Sequence, residues 1–158
     1  FYSFPALLSQ GDAVFHVANK LYVPSYISLE SALSFHGMIP ERVVQTTSIS
    51  SLKTKSFSNA FGTFVYRSVK PSLMFGYTRE ASTFAKDWYV MIATAEKALL
   101  DFLYLNPRYA TEKDFLDVRL DVDFMHDELD VSRLDAFLER FESKSLERRV
   151  HLLKGVYL

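Results

Sequence analysis

The chain has 158 residues, 49% hydrophobic and 23% charged, the size and balance of a single globular domain rather than a disordered chain. It contains no cysteine, which removes disulfides, thiolate metal ligands and cysteine nucleophiles together. A net charge of -1 disfavours DNA binding by this chain alone, and no apolar run reaches the ~20 residues of a membrane span, so a cytoplasmic protein is expected.

Phe1 to Phe4 form a short aromatic, strand-like stretch that stops at Pro5, which cannot donate to a ladder. With Phe instead of Met at position 1, residues 1–4 are expected to end a segment that begins upstream. Asp12 stands as an N-cap before Ala13, Val14, Val17, Ala18 and Leu21, whose spacing predicts a helix closed by Pro24. Ser28 is placed to cap a second helix with Leu29, Ala32, Leu33 and His36 on one face, and Gly37 and Pro40 to stop it. From Arg42 to Tyr77, β-branched and aromatic residues at 43–47, 57–61, 63–69 and 73–77 predict three or four antiparallel strands, with turn residues at 58–62 and 70–72.

Trp88 to Ala93 is a continuous apolar run, read as a strand covered on both faces. It leads into Thr94, the N-cap of a central helix with Ala95, Ala98, Leu99, Phe102 and Leu103 as its stripe and Asn106-Pro107 as its end. Thr111 and Asp114 open a short helix as a near-capping box. Val118, Leu120, Val122 and Phe124 then alternate with Asp117, Arg119, Asp121 and Asp123, which predicts a half-buried edge strand. Asp130 caps a helix carrying Val131, Leu134, Phe137, Leu138 and Phe141, and Leu146, Val150 and Leu153, with Gly155 after them, extend or follow it. The expected fold is α+β: a mostly antiparallel mixed sheet of about five to six strands flanked by helices. Residues 1–158 are read as one domain without internal repeats, with 108–158 as its helical C-terminal part.

Several groupings have the residue types of chemical sites. Asp121 and Asp123 have the spacing of paired metal-binding carboxylates but lack a Gly-Ser turn before them, and as a calcium loop they lack its glycine and twelfth-position Glu. Glu142-Ser143-Lys144 matches a nuclease Glu-x-Lys tail but lies in a polar, helix-forming stretch. His16, His36, His126 and His151 have no zinc-site spacing, and His36 falls in a last helical turn, where the dipole favours an imidazolium. Lys97 and Asp101 are spaced i, i+4 with Glu96 in the first turn, the pattern of ordinary helix support. Arg148, Arg149, His151 and Lys154 read as solvated helix charge. Tyr66 and Tyr77 are aromatics that fit a partner-binding surface.

Three stretches occur in order over roughly the first two thirds of the chain. They are Ala18-Asn19-Lys20-Leu21-Tyr22 leading into Pro24 to Glu41, then Phe61-Gly62-Thr63-Phe64-Val65-Tyr66, then Ile92 to Asp101. Together they resemble the AbiEi antitoxin family of bacterial type IV toxin-antitoxin (abortive infection, phage-defence) systems. The resemblance implies an antitoxin and transcriptional regulator whose N-terminal winged helix, which carries the DNA binding, lies upstream, with residues 1–4 as the end of its wing. It implies a partner that is a nucleotidyltransferase-type toxin or that toxin's target, engaged directly or indirectly, with no catalytic residues, no cofactor and no metal. The functional surface it suggests comprises Tyr26, Ser28, Glu30, Ser31, His36, Tyr66, Glu96, Lys97 and Asp101. A homodimer is compatible with it, and it does not extend to residues 108–158. Two other readings stay open: a divergent nuclease-like metal-dependent enzyme, marked by carboxylates and a Lys converging in a cleft, and a dimerisation domain of a DNA-binding regulator, marked by a large two-fold apolar patch.

Overall fold

The structure, a computed structural model, describes residues 12–40, 43–81 and 87–158. The strand expected at Phe1 to Phe4 lies outside them. Six strands form one mixed sheet: β1 (Ser25–Ile27), β2 (Thr46–Ser50), β3 (Lys55–Asn59), β4 (Gly62–Ser68), β5 (Tyr77–Ala81) and β6 (Tyr89–Ala93), in the order β3-β4-β2-β1-β6-β5. The β1/β2, β3/β4 and β5/β6 pairs are antiparallel, and β1/β6 and β2/β4 are parallel. The helices are α1 (Asp12–Leu21), α2 (Leu29–Phe35), α3 (Ala95–Leu105), α4 (Glu112–Val118), α5 (Val122–Asp127), α6 (Val131–Phe141) and α7 (Lys144–Tyr157). The fold is α+β with a helical C-terminal end, and no helix among the described residues is long and apolar enough to cross a membrane.

Local chemistry explains most of the boundaries. α2 ends in a Schellman motif: Met38 N–H donates to Leu33 O, Gly37 N–H donates to Ser34 O, and Gly37 takes φ +82°. Asn59 pairs with Gly62 across a two-residue hairpin, and the Asn59 side chain accepts from Phe61 N–H. Thr94, Asp130 and Ser143 cap α3, α6 and α7, and Thr111 with Asp114 completes a capping box at α4.

Four expectations fail. The edge strand expected over 118–124 is the end of α4 and the start of α5: Arg119 turns the chain at φ +60°, and Asp121 caps α5 by accepting from Phe124 N–H. Two helix termini back to back imitate an alternating strand. The expected strand at 73–77 is a 3₁₀ turn at Pro71–Leu73, with β5 starting only at Tyr77, and the strand expected at 43–47 lies at Thr46–Ser50. The β6 run is not covered on both faces, since Tyr89 and Met91 are 41% and 40% exposed while Val90 and Ile92 are buried. α7 follows α6 after a left-handed Glu142 and continues through Gly155. Strand β1, unmarked by periodicity, is only three residues long and fully buried.

The core lies between the sheet and α2, α3, α6 and α7. α3 is its axis, with every residue from Ala95 to Leu103 buried, and not only the expected stripe. The chain enters α2 from β1 through Leu29, a buried leucine at φ +58°, a left-handed conformation that costs a leucine roughly 1–2 kcal/mol.

Candidate functional site

Central strand β1 and central helix α3 face each other; Tyr26 of β1 and Ser28 just after it meet two polar side chains of α3 in the gap. Lys97 and Asp101, one turn apart on α3, are both 0% exposed and pair at 2.7 Å. Lys97 Nζ also donates to the Tyr26 hydroxyl at 2.8 Å and to Leu73 O at 2.9 Å. The other oxygen of Asp101 accepts from Tyr26 OH at 2.9 Å and from Ser28 Oγ at 2.7 Å. An ammonium has three donors, and here it has three acceptors, so the geometry fits an ion pair. The rings of Tyr26, Phe75 and Phe141 surround Nζ at 5.2, 4.5 and 5.2 Å, adding cation–π attraction in a desolvated setting. Burial pushes the Asp101 carboxyl up and the Lys97 ammonium down, and their mutual attraction opposes both shifts. Burial, and next to it the charge of Asp101, raises the Tyr26 phenol well above the ordinary tyrosine range.

The remaining residues of the suggested surface are mostly structural connectors. Ser28 was expected to cap α2, but its hydroxyl makes no cap bond and is given to Asp101. Ser31 Oγ donates to Gln45 O and accepts from Thr47 N–H, while Thr47 Oγ1 accepts from Ser31 N–H and donates to Ser28 O. This closed set ties α2 to β2. His36 Nε2 meets Ala93 O at 2.8 Å and therefore carries the proton there. Glu96 is 3% exposed and accepts from Asp130 N–H and from Arg133, anchoring the start of α6 on α3. Tyr66 is fully buried, its hydroxyl donating to Ala18 O at 2.5 Å. Only Glu30 and His36 of the nine are half-buried; the other seven are buried and form no surface. Lys97, Asp101 and Glu96 are therefore core groups and not solvated helix support.

The other groupings resolve locally as well. Asp121 is a helix cap, and Glu142-Ser143-Lys144 is the junction of α6 and α7 rather than a strand carrying a nuclease tail. Arg149, expected in solvent, is buried and donates to Leu103 O at 2.7 Å, so burial lowers its pKa. Lys154 pairs with Asp135 at 2.5 Å. Among the described residues no three His, Asp or Glu side chains are grouped to hold a metal.

Concavities among the described residues include two that are walled by elements of the sheet layer. A cleft of about 360 Å³ lies between α2, α3 and α4, walled by Leu33, Ile39, Phe102 and Val118 with Glu30 and Asp117 at its edge. A second groove, about 400 Å³, lies where α1 crosses the β5/β6 end of the sheet, with Tyr77, Arg79 and Tyr89 among its walls. Tyr89 and Met91 meet His16 and Arg79 only in three dimensions, so no pattern within residues 88–93 marks this groove. The chain matches no protein-family model, no curated protein and no solved structure.

Proposed function

We propose that this chain is a non-catalytic regulatory domain of the AbiEi antitoxin type, acting in the cytoplasm to counteract a nucleotidyltransferase-type toxin, either on the toxin or on the toxin's target. The observation that supports this is the meeting of Tyr26 and Ser28 with Lys97 and Asp101. The two longest stretches that carry the resemblance are thus halves of one packed unit, and residues so joined are required together for the fold that the resemblance implies. The same groups favour a scaffold over an enzyme, because a lysine and an aspartate with no exposed atoms cannot reach a substrate. On this reading, DNA binding belongs to a winged helix upstream, and the task of this domain is recognition.

The test is growth rescue. The chain is co-expressed with the nucleotidyltransferase-type toxin encoded beside its gene, and the expected result is restored growth. Asp101→Ala is expected to abolish rescue by unfolding the domain, and Glu30→Ala to weaken it while the domain stays folded. A soluble, folded chain that leaves the cells arrested would overturn the assignment of antitoxin activity to this domain.

A further inference from the structure

The groove at the β5/β6 end of the sheet is built by elements that have a structural reason to be there. β1 pairs with β6 only at Ile27 and Ile92, so the backbone of β6 would be left open before that point. α1 closes it: Asn19 donates to Met91 O at 3.3 Å and accepts from Met91 N–H at 2.7 Å, and His16 Nδ1 meets Tyr89 O at 3.1 Å. The space left beside these contacts, about 400 Å³, is within the range of small-molecule sites.

Two kinds of group face this space. The rings of Tyr77 and Tyr89 are 38% and 41% exposed. Tyr77 is already stacked on Tyr26, with centroids 4.6 Å apart and planes at 6°, and the Arg79 guanidinium lies 4.2 Å from the Tyr89 centroid. Among the described lining residues, Lys20 and Arg79 bring two cationic groups against one acid, Asp87.

We propose that this groove binds a nucleobase bearing phosphate. The base stacks on Tyr77, and Arg79 and Lys20 meet the phosphate. A ring fixed from behind by Tyr26 loses little freedom when a base covers its front. Base–aromatic stacking also tolerates any base, because every base has a π-face. A bare anion would leave the rings unused, and an apolar peptide would leave Lys20 and Arg79 without an acceptor. The overall charge of -1 is no obstacle, because the contacts are short-range and local. This site stands independently of the antitoxin reading. Its ligand comes either as a free nucleotide or as a single strand of nucleic acid.

The chain carries its own reporter. Trp88, its only tryptophan, stacks on His16 with centroids 4.1 Å apart and planes at 15°. Tryptophan fluorescence is titrated with AMP, adenosine, ribose 5-phosphate and a single-stranded oligoadenylate of about twelve nucleotides. AMP is expected to give saturable quenching, with adenosine and ribose 5-phosphate at least about tenfold weaker. Arg79→Ala and Tyr77→Leu, the latter keeping Tyr26 covered, are each expected to weaken AMP binding about tenfold, while Arg148→Ala on α7 leaves it unchanged. An oligonucleotide that binds about tenfold or more tighter than AMP supports a strand as the natural source, and equal binding supports a free nucleotide. The proposal is overturned if neither AMP nor the oligonucleotide binds up to about millimolar concentration. It is likewise overturned if adenosine binds as tightly as AMP, or if both groove variants, folded by circular dichroism, bind like the parent.

Discussion

Tyr26 lies parallel to Tyr77, 4.6 Å away, and thereby joins the closed interior of this protein to its open face. The hydroxyl of Tyr26 is held by Lys97 and Asp101, while its ring backs the one groove wall that β5 offers to solvent. The buried ion pair thus has a positioning role that its isolation from water does not suggest. It fixes the tilt of Tyr26 and, through the stack, that of Tyr77. A buried, fully bonded polar network is rigid, and rigidity transmitted to a surface ring is what a stacking platform requires.

Breaking the pair from one side should be far worse than replacing it. Asp101→Leu leaves an ammonium buried without its counter-ion, and Lys97→Met leaves a carboxylate, so each is expected to cost about 3–5 kcal/mol in urea unfolding. The double variant Lys97→Met/Asp101→Leu is expected to be more stable than either single variant, because neither charge remains. Strictly additive losses would mean that the two groups do not interact as drawn.

Gly76 is required by both backbone and packing. It takes φ +76°, and a Cβ there would lie 2.9 Å from Lys97 Cγ and 3.0 Å from Lys97 Cβ. Lys97 cannot give way, since its ammonium is fixed at three points. Gly76→Ala is therefore expected to destabilise the fold by about 1–3 kcal/mol. Gly155→Ala, with open space around it in α7, should instead be neutral or slightly stabilising in the same thermal-unfolding measurement.

What could be read in the sequence divides along the range of the interactions. The caps at Thr94, Thr111 and Asp130 were legible because each is settled within three residues. Ser28 had the same credentials, but its hydroxyl is claimed by Asp101, 73 positions away, and no local rule could register that. Asp121 was hidden by an accidental alternation of apolar residues around it. Lys97 and Asp101 look like any i, i+4 pair, and only the packing of Tyr26 and Leu73 against their face of the helix, far away in sequence, buries both charges. The groove drew on four elements at once and left almost no trace in any of them.

Asn19 replaces a strand that β1 is too short to supply. Its amide satisfies both backbone groups of Met91, so Asn19→Ala is expected to cost about 1–3 kcal/mol and to speed hydrogen exchange at the Met91 amide. Asn19→Asp keeps the acceptor for Met91 N–H but loses the donor to Met91 O. Its Met91 amide should stay protected, and equal exchange in the two variants would show that the side chain is not what covers this edge.

The capping box of α4 makes the C-terminal part sensitive to acid in a defined way. The N–H of Ala110, then the hydroxyl and N–H of Thr111, hold the Asp114 carboxyl below its ordinary value of 3.8. A carboxyl whose folded-state pKa is depressed adds stability that is fully present above the unfolded value and is lost as pH falls through the folded one. α4 should therefore be intact at neutral pH and fray only below the ordinary carboxylate range. Faster exchange of the Ala110 and Thr111 amides in an NMR titration would report this fraying. Asp114→Ala should show that faster exchange already at neutral pH, with little further change on acidification. If its exchange instead follows the parent's acid transition, another carboxyl controls the end of this helix.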